Sequence, residues 1–427
     1  MEQEEIEEIE EEYRGISRRQ FVAGALLGAG AISLTAQRAF AQMLATGKTA
    51  KDIRGNGVPG GIVQISANEN PLGASPRAID AIMQHIFEIN RYSFGSDLPF
   101  KLHAHHGITL GVDMSTLDFD DPRTFRALME KNRVYMDAGS GPIVQLIGLL
   151  GVGNGTGECI ESMPGYGQIA RVFEGFKMAG QNTNVIRVPT TGDFNQDLNA
   201  MKAAITPKTT IIAITNPNNP TGTIVPYADL EKFVDSVPKN IIVFIDEAYI
   251  HFVREPGYKD AIQLATARDN VVVTRTFSKI YGLAGMRIGY AIASKPILDR
   301  MMLHQGFGQG MTVLSSHAAS AALEDHDFVT QTIKVTNDGK DFLYGEFKKM
   351  GLKYTPSHSN FLIVDVGQDS RKIVTELRKR GVMVRSGWGY QGAGMNPLSN
   401  HIRISIGKPD ELEVFMNEFK KVMGAAS

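Results

Sequence analysis

The sequence predicts an α/β fold: a mostly parallel central sheet covered by helices on both faces, joined to a smaller α+β domain. Two observations carry this. From about Thr206 to Tyr290, near-continuous Val/Ile runs alternate with helical stretches, which marks parallel strands buried on both faces. After about Pro296 the texture changes to long helical patterns, then short strands and a closing helix. The 427 residues suffice for two domains with sizeable cores. The expected organisation is a leader at 1–41, a segment at 42–91 that joins the smaller domain, a large domain at 92–300 and the smaller domain at 301–427.

The leader opens with the acidic run "EEIEEIEEEY", which reads as solvated. Ser17-Arg18-Arg19-Gln20-Phe21 then forms a twin-arginine pattern. An apolar, Gly/Ala-rich run from Val22 to about Leu34 follows, and Ala39-Phe40-Ala41 gives an A-x-A cleavage site before Gln42. The run is short and rich in small residues for a membrane span. In this order the features predict a twin-arginine export signal rather than an ordinary amphipathic helix. The mature chain would start near Gln42, outside the cytoplasm and with no membrane anchor.

Within the large domain, "TTIIAIT" is a continuous apolar strand and "NPNNPTG" a turn cluster. "YADLEKFVDSV" is a helix with Leu230, Phe233 and Val234 on one face. "NIIVFID", "NVVVTRT" and "RIGYAIAS" are further strands. In the C-terminal part, "NFLIVDV", "GVMVRSG" and "HIRISIG" read as strands and "DELEVFMNEFKKVM" as the last helix. The formal net charge of −2 offers no nucleic-acid or polyanion surface. The single cysteine, Cys159, permits no internal disulfide and no cysteine-based zinc site, and reads as a core thiol.

Asn219, Asp246 and Lys279 each follow the C-terminal end of a predicted parallel strand. Right-handed crossovers bring such ends to one edge, where open α/β sheets bind ligands. Alone, Asp246 could cap a helix and Asn219 could serve a turn. Lys279, in "TRTFSKIYGLAGMRIGY", has neither excuse, because lysine is rarely buried without a partner. An amine, a carboxylate and an amide in one crevice suit pyridoxal phosphate. The lysine forms an imine with its aldehyde, the carboxylate keeps the pyridine nitrogen protonated, and the amide bonds the ring oxygen. For the phosphate, "DAGSGPIVQLIGLL" places Gly139, Ser140 and Gly141 at a helix N-terminus, with Pro142 in the first turn and Arg287 as fixed charge.

"NENPLG", "NPNNPTG", "DEAY", "TFSKIYGLAGMRIGY" and "HIRISIG" together resemble the class I/II, fold-type-I pyridoxal-phosphate aminotransferases, with the histidinol-phosphate aminotransferase branch nearest. The resemblance implies a homodimer with shared active sites and pyridoxal 5'-phosphate as cofactor. It makes Lys279 the imine lysine and proton shuttle, Asp246 the partner of the ring nitrogen, and Asn219 and Tyr249 the partners of the ring oxygen. Tyr166, in "PGYG", would stack on the ring, and Ser140, Ser278 and Arg287 would hold the phosphate. Tyr92 would reach the phosphate of the neighbouring subunit. Arg403 would bind the substrate acid group, Arg385 would be a second substrate-side arginine, and Asn360 would line the substrate site. The chain departs from the family pattern where Gly141-Pro142 replace an acidic pair, so phosphate contacts fall mostly to backbone. "GNGVPGGIVQI" lacks the branch's N-terminal tyrosine, and the segments 113–133 and 386–400 are enlarged.

Some signals are set aside. "GVGNGTG" follows a helix, so it reads as a helix-to-strand turn and not a dinucleotide fingerprint. "HAHH", His103 to His106, suits no standard metal spacing and reads as a helix surface or subunit contact; no metal site is expected. Trp388 either lines the substrate pocket or packs within its loop. The expected activity is ping-pong transfer of an amino group from a free amino acid, with an aromatic or other bulky side chain favoured, to a 2-oxo acid. Histidinol phosphate is the alternative donor. A reading of another class is an exported amino-acid- or cofactor-binding protein without turnover, against which the full catalytic set argues.

Overall fold

The computed structural model describes residues 57–92, 96–110, 122–304, 310–390, 392, 394 and 396–425. The expected leader and signal segment lie outside the described residues. The described chain begins with the short strand β1 (Val63–Gln64) and helix α1 (Pro76–His85). Ser75 caps α1: its hydroxyl accepts from the Ala78 N–H and donates to Asp325 Oδ2 at 2.6 Å, with Pro76 in the first turn. Helices α2 (Leu98–His105) and α3 (Pro122–Lys131) follow.

The central sheet is then laid down as β2 (Val134–Asp137), α4 (Ser140–Val152), β3 (Glu158–Met163), α5 (Gln168–Met178), β4 (Asn184–Pro189), α6 (Leu198–Ala203), β5 (Thr209–Thr215), α7 (Tyr227–Ser236), β6 (Ile242–Asp246), α8 (Ile262–Ala267), β7 (Val271–Thr276) and β8 (Gly289–Ala293). The seven strands take the order β2-β8-β7-β6-β5-β3-β4. Side chains alternate across each strand, so both faces must be covered. Ile211 packs with Ile143, Ile147 and Phe173 of α4 and α5, whereas its neighbour Ile212 packs with Leu230, Phe233 and Val234 of α7 on the opposite face. Cys159 lies fully buried in the first of these cores.

All pairings in this sheet are parallel except those of β8, which runs antiparallel to both β2 and β7. The connection 277–288 explains the reversal. It carries no helix, and a parallel return would need a helical crossover. Those same residues hold Lys279 and Arg287, so the chain doubles back across the sheet edge where the chemistry sits.

Helices α9 (Lys295–His304), α10 (Val313–Leu323) and α11 (His326–Lys349) lead to β9 (Tyr354–Thr355), β10 (Phe361–Asp365), α12 (Ser370–Lys379), β11 (Val382–Met383), β12 (Arg385–Ser386), β13 (His401–Ser405) and α13 (Pro409–Ala425). A second, antiparallel sheet has the order β12-β13-β10-β9. Its core joins Leu362, Val364, Ile402 and Ile404 to Phe347 of α11 and Phe415 and Phe419 of α13. Val63 and Ile65 belong to this core, and β1 pairs with β11, so the N-terminal segment completes the smaller sheet domain. Helix α10 falls within 301–427 by sequence but packs with the large core: Ala318, Ala319 and Ala322 are small enough to lie close against α1.

Candidate active site

Asp246 is the last residue of β6, Asn219 lies in the loop after β5, and Lys279 lies in the turn after β7. Parallel pairing of β5, β6 and β7 brings these three positions to one edge. There they line a single cavity of about 940 Å³ with Ser140, Gly141, Tyr166, Tyr249, Ser278, Arg287, Arg385 and Arg403. This is the crevice that open α/β sheets present at their carboxyl edge.

The Lys279 amine is half-buried, 3.3 Å from the Ala67 carbonyl oxygen. Burial and the Arg403 and Arg287 charges lower its pKa to about 8, against the pull of Glu69 and Asp246. Such an amine reaches its neutral, nucleophilic form near physiological pH. Asp246 is buried and pushed up to about 6 by desolvation, although it accepts from the Ala248 N–H at 3.1 Å and the Thr274 hydroxyl at 3.4 Å. Neither contact is an ion pair. A cationic group above Asp246 would therefore recover much of the cost of burying its charge. The Tyr249 hydroxyl accepts from Asn68 Nδ2 at 3.0 Å, and burial raises its pKa.

Beside these groups is an anion cradle. Gly139, at φ +93°, precedes α4, whose first residues, Ser140 and Gly141, line the cavity with backbone N–H groups that have no partner within the helix. A Cβ on Gly139 would stand 2.3 Å from Arg287 Nη2, and one on Gly289 would stand 2.3 Å from the Ser140 nitrogen. Arg287 adopts φ +54°, a conformation disfavoured for a side-chain-bearing residue, and its Nη1 donates to the Ala284 carbonyl. The strained backbone thus aims a guanidinium at the helix N-terminus. Ser278 is anchored by the Thr276 hydroxyl at 2.9 Å. The donor set, a helix N-terminus with an arginine and hydroxyls, fits a phosphate monoester.

Arg403 is buried. Its Nη1 donates to Asn219 Oδ1 at 2.8 Å and to the Tyr390 hydroxyl, and its Nη2 donates to the Ser66 carbonyl at 2.8 Å. Its Nε has no partner, and no carboxylate pairs with it among the described residues. Arg385 lines the same cavity from the neighbouring strand.

Three residues singled out from sequence lie elsewhere. Asn360 does not line the cavity. It is fully buried, and its Nδ2 donates to the Asn68 and Glu69 carbonyls at 3.1 and 3.3 Å, buttressing the segment that carries Asn68. Tyr92 stands on the surface, 86% exposed, and does not line the cavity. Trp388 lies outside the cavity, with the Arg371 guanidinium 3.7 Å above its ring, so its loop is packed around it. The cavity wall also contains Tyr390, which the sequence places beside Arg385, and Asn68, Glu161, Arg171, Glu174 and Arg187, which the sequence did not mark. Asn68 could have been found, because it lies in the quoted "NENPLG". "GVGNGTG" is a turn between α4 and β3, with Gly153 and Gly155 at positive φ. In "HAHH", His103 is bonded to the Pro99 carbonyl and the Arg133 N–H, and His106 to the Tyr290 hydroxyl, so both serve internal packing. Among the described residues, His85, Glu88 and His317 bring possible metal-ligand atoms within 4.8 Å of one another, away from the cavity. Their imidazoles are stacked at 3.5 Å and 2°, so in-plane lone pairs do not converge on one point.

A sheet of this topology, with an amine, a buried carboxylate and an anion cradle at its carboxyl edge, defines a fold-type-I pyridoxal-phosphate enzyme. Residues 61–419 match the family of class I and II aminotransferases, and the chain belongs to that family. The histidinol-phosphate aminotransferase of Moorella thermoacetica is 34% identical over 366 residues, covering 85% of this chain and 86% of the relative. That of Akkermansia muciniphila is 34% identical over 379 residues, covering 88% and 93%. The structure of histidinol-phosphate aminotransferase from Sinorhizobium meliloti in complex with pyridoxal-5'-phosphate superposes with a TM-score of 0.72 at 26% identity, over 86% of this chain and 92% of that one. An aromatic aminotransferase from Pyrococcus horikoshii shares the fold, with a TM-score of 0.70 at 20% identity over 86% and 96% of the two chains. The protein is a pyridoxal-phosphate-dependent aminotransferase of the branch that contains the histidinol-phosphate enzymes.

Proposed function

We propose that the protein moves an amino group from a free amino acid to a 2-oxo acid, using the residues of the 940 Å³ cavity in the following roles. Pyridoxal 5'-phosphate, when bound, supplies an aldehyde for amines and a protonated ring that withdraws electrons. Lys279 holds it covalently and then carries the proton to and from the donor's α-carbon. Asp246 keeps the ring nitrogen protonated, which is the electrostatic half of catalysis. Asn219 and Tyr249 bond the ring oxygen, Tyr166 covers the ring face, and Gly139, Ser140, Gly141, Ser278 and Arg287 hold the phosphate. Arg403 takes the α-carboxylate through a two-point contact, and Arg385 takes a further acid group. The observation that carries this reading is the meeting of Lys279 and Asp246, from the ends of adjacent parallel strands, beside the cradle of Gly139 and Arg287. The test is single turnover. Without an acceptor, the purified holoenzyme should release stoichiometric 2-oxo acid from a donor and change colour, then recover when 2-oxoglutarate is added. Binding without release would leave a non-catalytic binding protein.

Histidinol phosphate is the second reading for the donor, supported by relatives at 34% identity that carry that name. It offers a phosphate ester where an amino acid offers a carboxylate, and Arg385 with Arg403 suits either anion. Specificity constants for histidinol phosphate and for phenylalanine, glutamate and arginine separate the two.

We further propose a homodimer in which Tyr92 reaches the partner's phosphate, and export by the twin-arginine route. Its exposure supports the first. The order Arg18-Arg19, apolar run, Ala39-Phe40-Ala41 supports the second. That route carries folded proteins, which suits a cofactor loaded before transport. A tagged native protein found only in the cytoplasm, or unaffected by Arg18→Lys with Arg19→Lys, would exclude export.

A further inference from the structure

Glu161 and Arg187 are register partners on the parallel strands β3 and β4, and both line the cavity that holds Lys279. Arg187 Nε lies 3.3 Å from Glu161 Oε1, while its Nη2 donates to Glu174 Oε1 at 2.7 Å. One guanidinium is thus divided between two carboxylates. Glu161 is only 5% exposed, and burial pushes its carboxyl up to about 7 despite Arg187 and Arg171. Among the described residues its ion-pair partner, Arg187, is shared with Glu174, so Glu161 holds no guanidinium of its own. Neither Glu161 nor Arg187 is needed for the cofactor contacts assigned above.

The corner is also walled. Gly392 packs so closely that a Cβ there would stand 2.5 Å from Met163 Cε and 3.0 Å from Arg187 Nε. A staple between β3, β4 and α5 would need no carboxylate facing a cavity, and apolar residues of the same volume stabilise such a position at least as well. A buried carboxylate on a cavity wall that shares its guanidinium with a second carboxylate can act as a recognition element: a ligand lacking the matching N–H leaves it short of a partner, which discriminates strongly.

We infer that Glu161, held in place by Arg187, receives the side chain of the amino donor, and that this side chain carries a nitrogen that donates hydrogen bonds, as an ammonium, guanidinium or imidazole does. The inference rests on the transamination reading and names the donor's side-chain class. It narrows the expectation from an aromatic or other bulky side chain to a nitrogenous one.

The test compares nitrogenous donors with apolar donors of similar shape: lysine and arginine with norleucine, and histidine with phenylalanine. The same acids without the α-amino group, such as 6-aminohexanoate against hexanoate, serve as non-reacting ligands whose binding is read by titration calorimetry on the holoenzyme. At least one nitrogenous donor should exceed its apolar match in kcat/KM, and its deamino acid should bind more tightly than the apolar one. Glu161→Gln should cut both ratios by about tenfold or more, roughly 1.4 kcal/mol. Arg187→Met, which frees Glu161 from its clamp, should alter the same ratios while Arg403-dependent carboxylate binding persists. Apolar donors winning every pair, or Glu161→Gln lowering all donors equally, would overturn the assignment and leave Glu161 a structural ion pair. If no amino acid turns over, the calorimetric ratios still read Glu161, and only the transamination reading fails.

Discussion

Arg385 and Arg403 stand directly opposite each other on the antiparallel strands β12 and β13, and both line the active-site cavity. Like charges at directly opposed positions destabilise a strand pair. An anion bound between them would turn that cost into binding energy. Carboxylates, and 2-oxoglutarate most, should therefore raise the thermal midpoint of the cofactor-loaded protein, in which the cradle of Gly139 and Arg287 is occupied. Arg385→Met should raise the midpoint of the ligand-free protein slightly and remove most of the anion-induced rise. Differential scanning fluorimetry across an anion series checks both. An unchanged anion response in Arg385→Met would show that the pair does not act as one site.

Asp246 should trade stability for chemistry. Its pKa in the fold, about 6, lies above the ordinary aspartate value of 3.8. The neutral form thus favours the cofactor-free fold. That contribution is full below about pH 4 and is lost as pH rises through 6. Asp246→Asn removes the dependence. The cofactor-free variant should gain on the order of 1–3 kcal/mol over the parent above pH 6 and nothing at pH 4. The same change should lower kcat by about 10²–10³-fold, since a charged partner is removed where charge develops. Denaturant melts at pH 4 and pH 7.5, alongside kinetics, check the two halves. A stability difference that is flat with pH would show that the Asp246 carboxylate is not the source.

Lys279 and Asp246 were legible in the sequence because strand-end positions in an α/β sheet follow from strand recognition alone, and a lone lysine there is chemically conspicuous. Gly139 and Arg287 were legible as types, since a glycine before an apolar helix reads as an anion site. The pairing of Glu161 with Arg187 was not, because it depends on the register of β3 against β4, which no local pattern specifies. Tyr390 reaches Asn219 and Arg403 from the end of a short 3-10 helix (Gly387–Tyr390). Its position comes from tertiary packing, as does that of Trp388 under Arg371. Asn360 was misread as a cavity residue because its motif shows that it is constrained, but not whether by substrate or by backbone. The antiparallel β8 and the docking of α10 on α1 lie beyond pattern reading for the same reason. Both are set by what a connection can span and by which small residues permit close approach.

Gly139→Ala tests the cradle. The added Cβ would meet Arg287 Nη2 at 2.3 Å, on a backbone at φ +93° that alanine rarely adopts. Arg287 must move, and the phosphate loses its aimed guanidinium. Cofactor affinity should fall at least about tenfold, roughly 1.4 kcal/mol. Added pyridoxal phosphate should restore much of the activity, because Lys279 and Asp246 are undisturbed. Fluorescence titration of the cofactor-free variant gives the affinity. A normal affinity would mean that the phosphate lies elsewhere.

The covalent role of Lys279 has a direct reading. Borohydride reduction followed by peptide mass mapping should place the cofactor on the peptide that contains Lys279. Lys279→Ala should lose turnover by several orders of magnitude while retaining some cofactor through Arg287 and Ser278. Label on any other lysine would displace Lys279 from the centre of the site.

The last prediction concerns assembly. Ile79 and Met83 stand one turn apart on α1, Phe87 lies in the 3-10 helix that follows (Ile86–Glu88), and Ile89 and Tyr92 come after it. These five are between 48% and 92% exposed. A run of large apolar side chains exposed along one stretch of surface marks a contact face. It ends at the tyrosine proposed to reach the partner's phosphate, so the face and the shared site should stand or fall together. Met83→Asp with Phe87→Asp should yield monomers by light scattering, with weakened cofactor binding, although neither residue lines the cavity. Tyr92→Phe mixed with Lys279→Ala subunits should regain activity, because each mixed dimer has one site with both lesions and one with neither. An active monomer would rule out shared sites, and failure of the mixture to regain activity despite verified subunit exchange would rule out Tyr92 as the bridging residue.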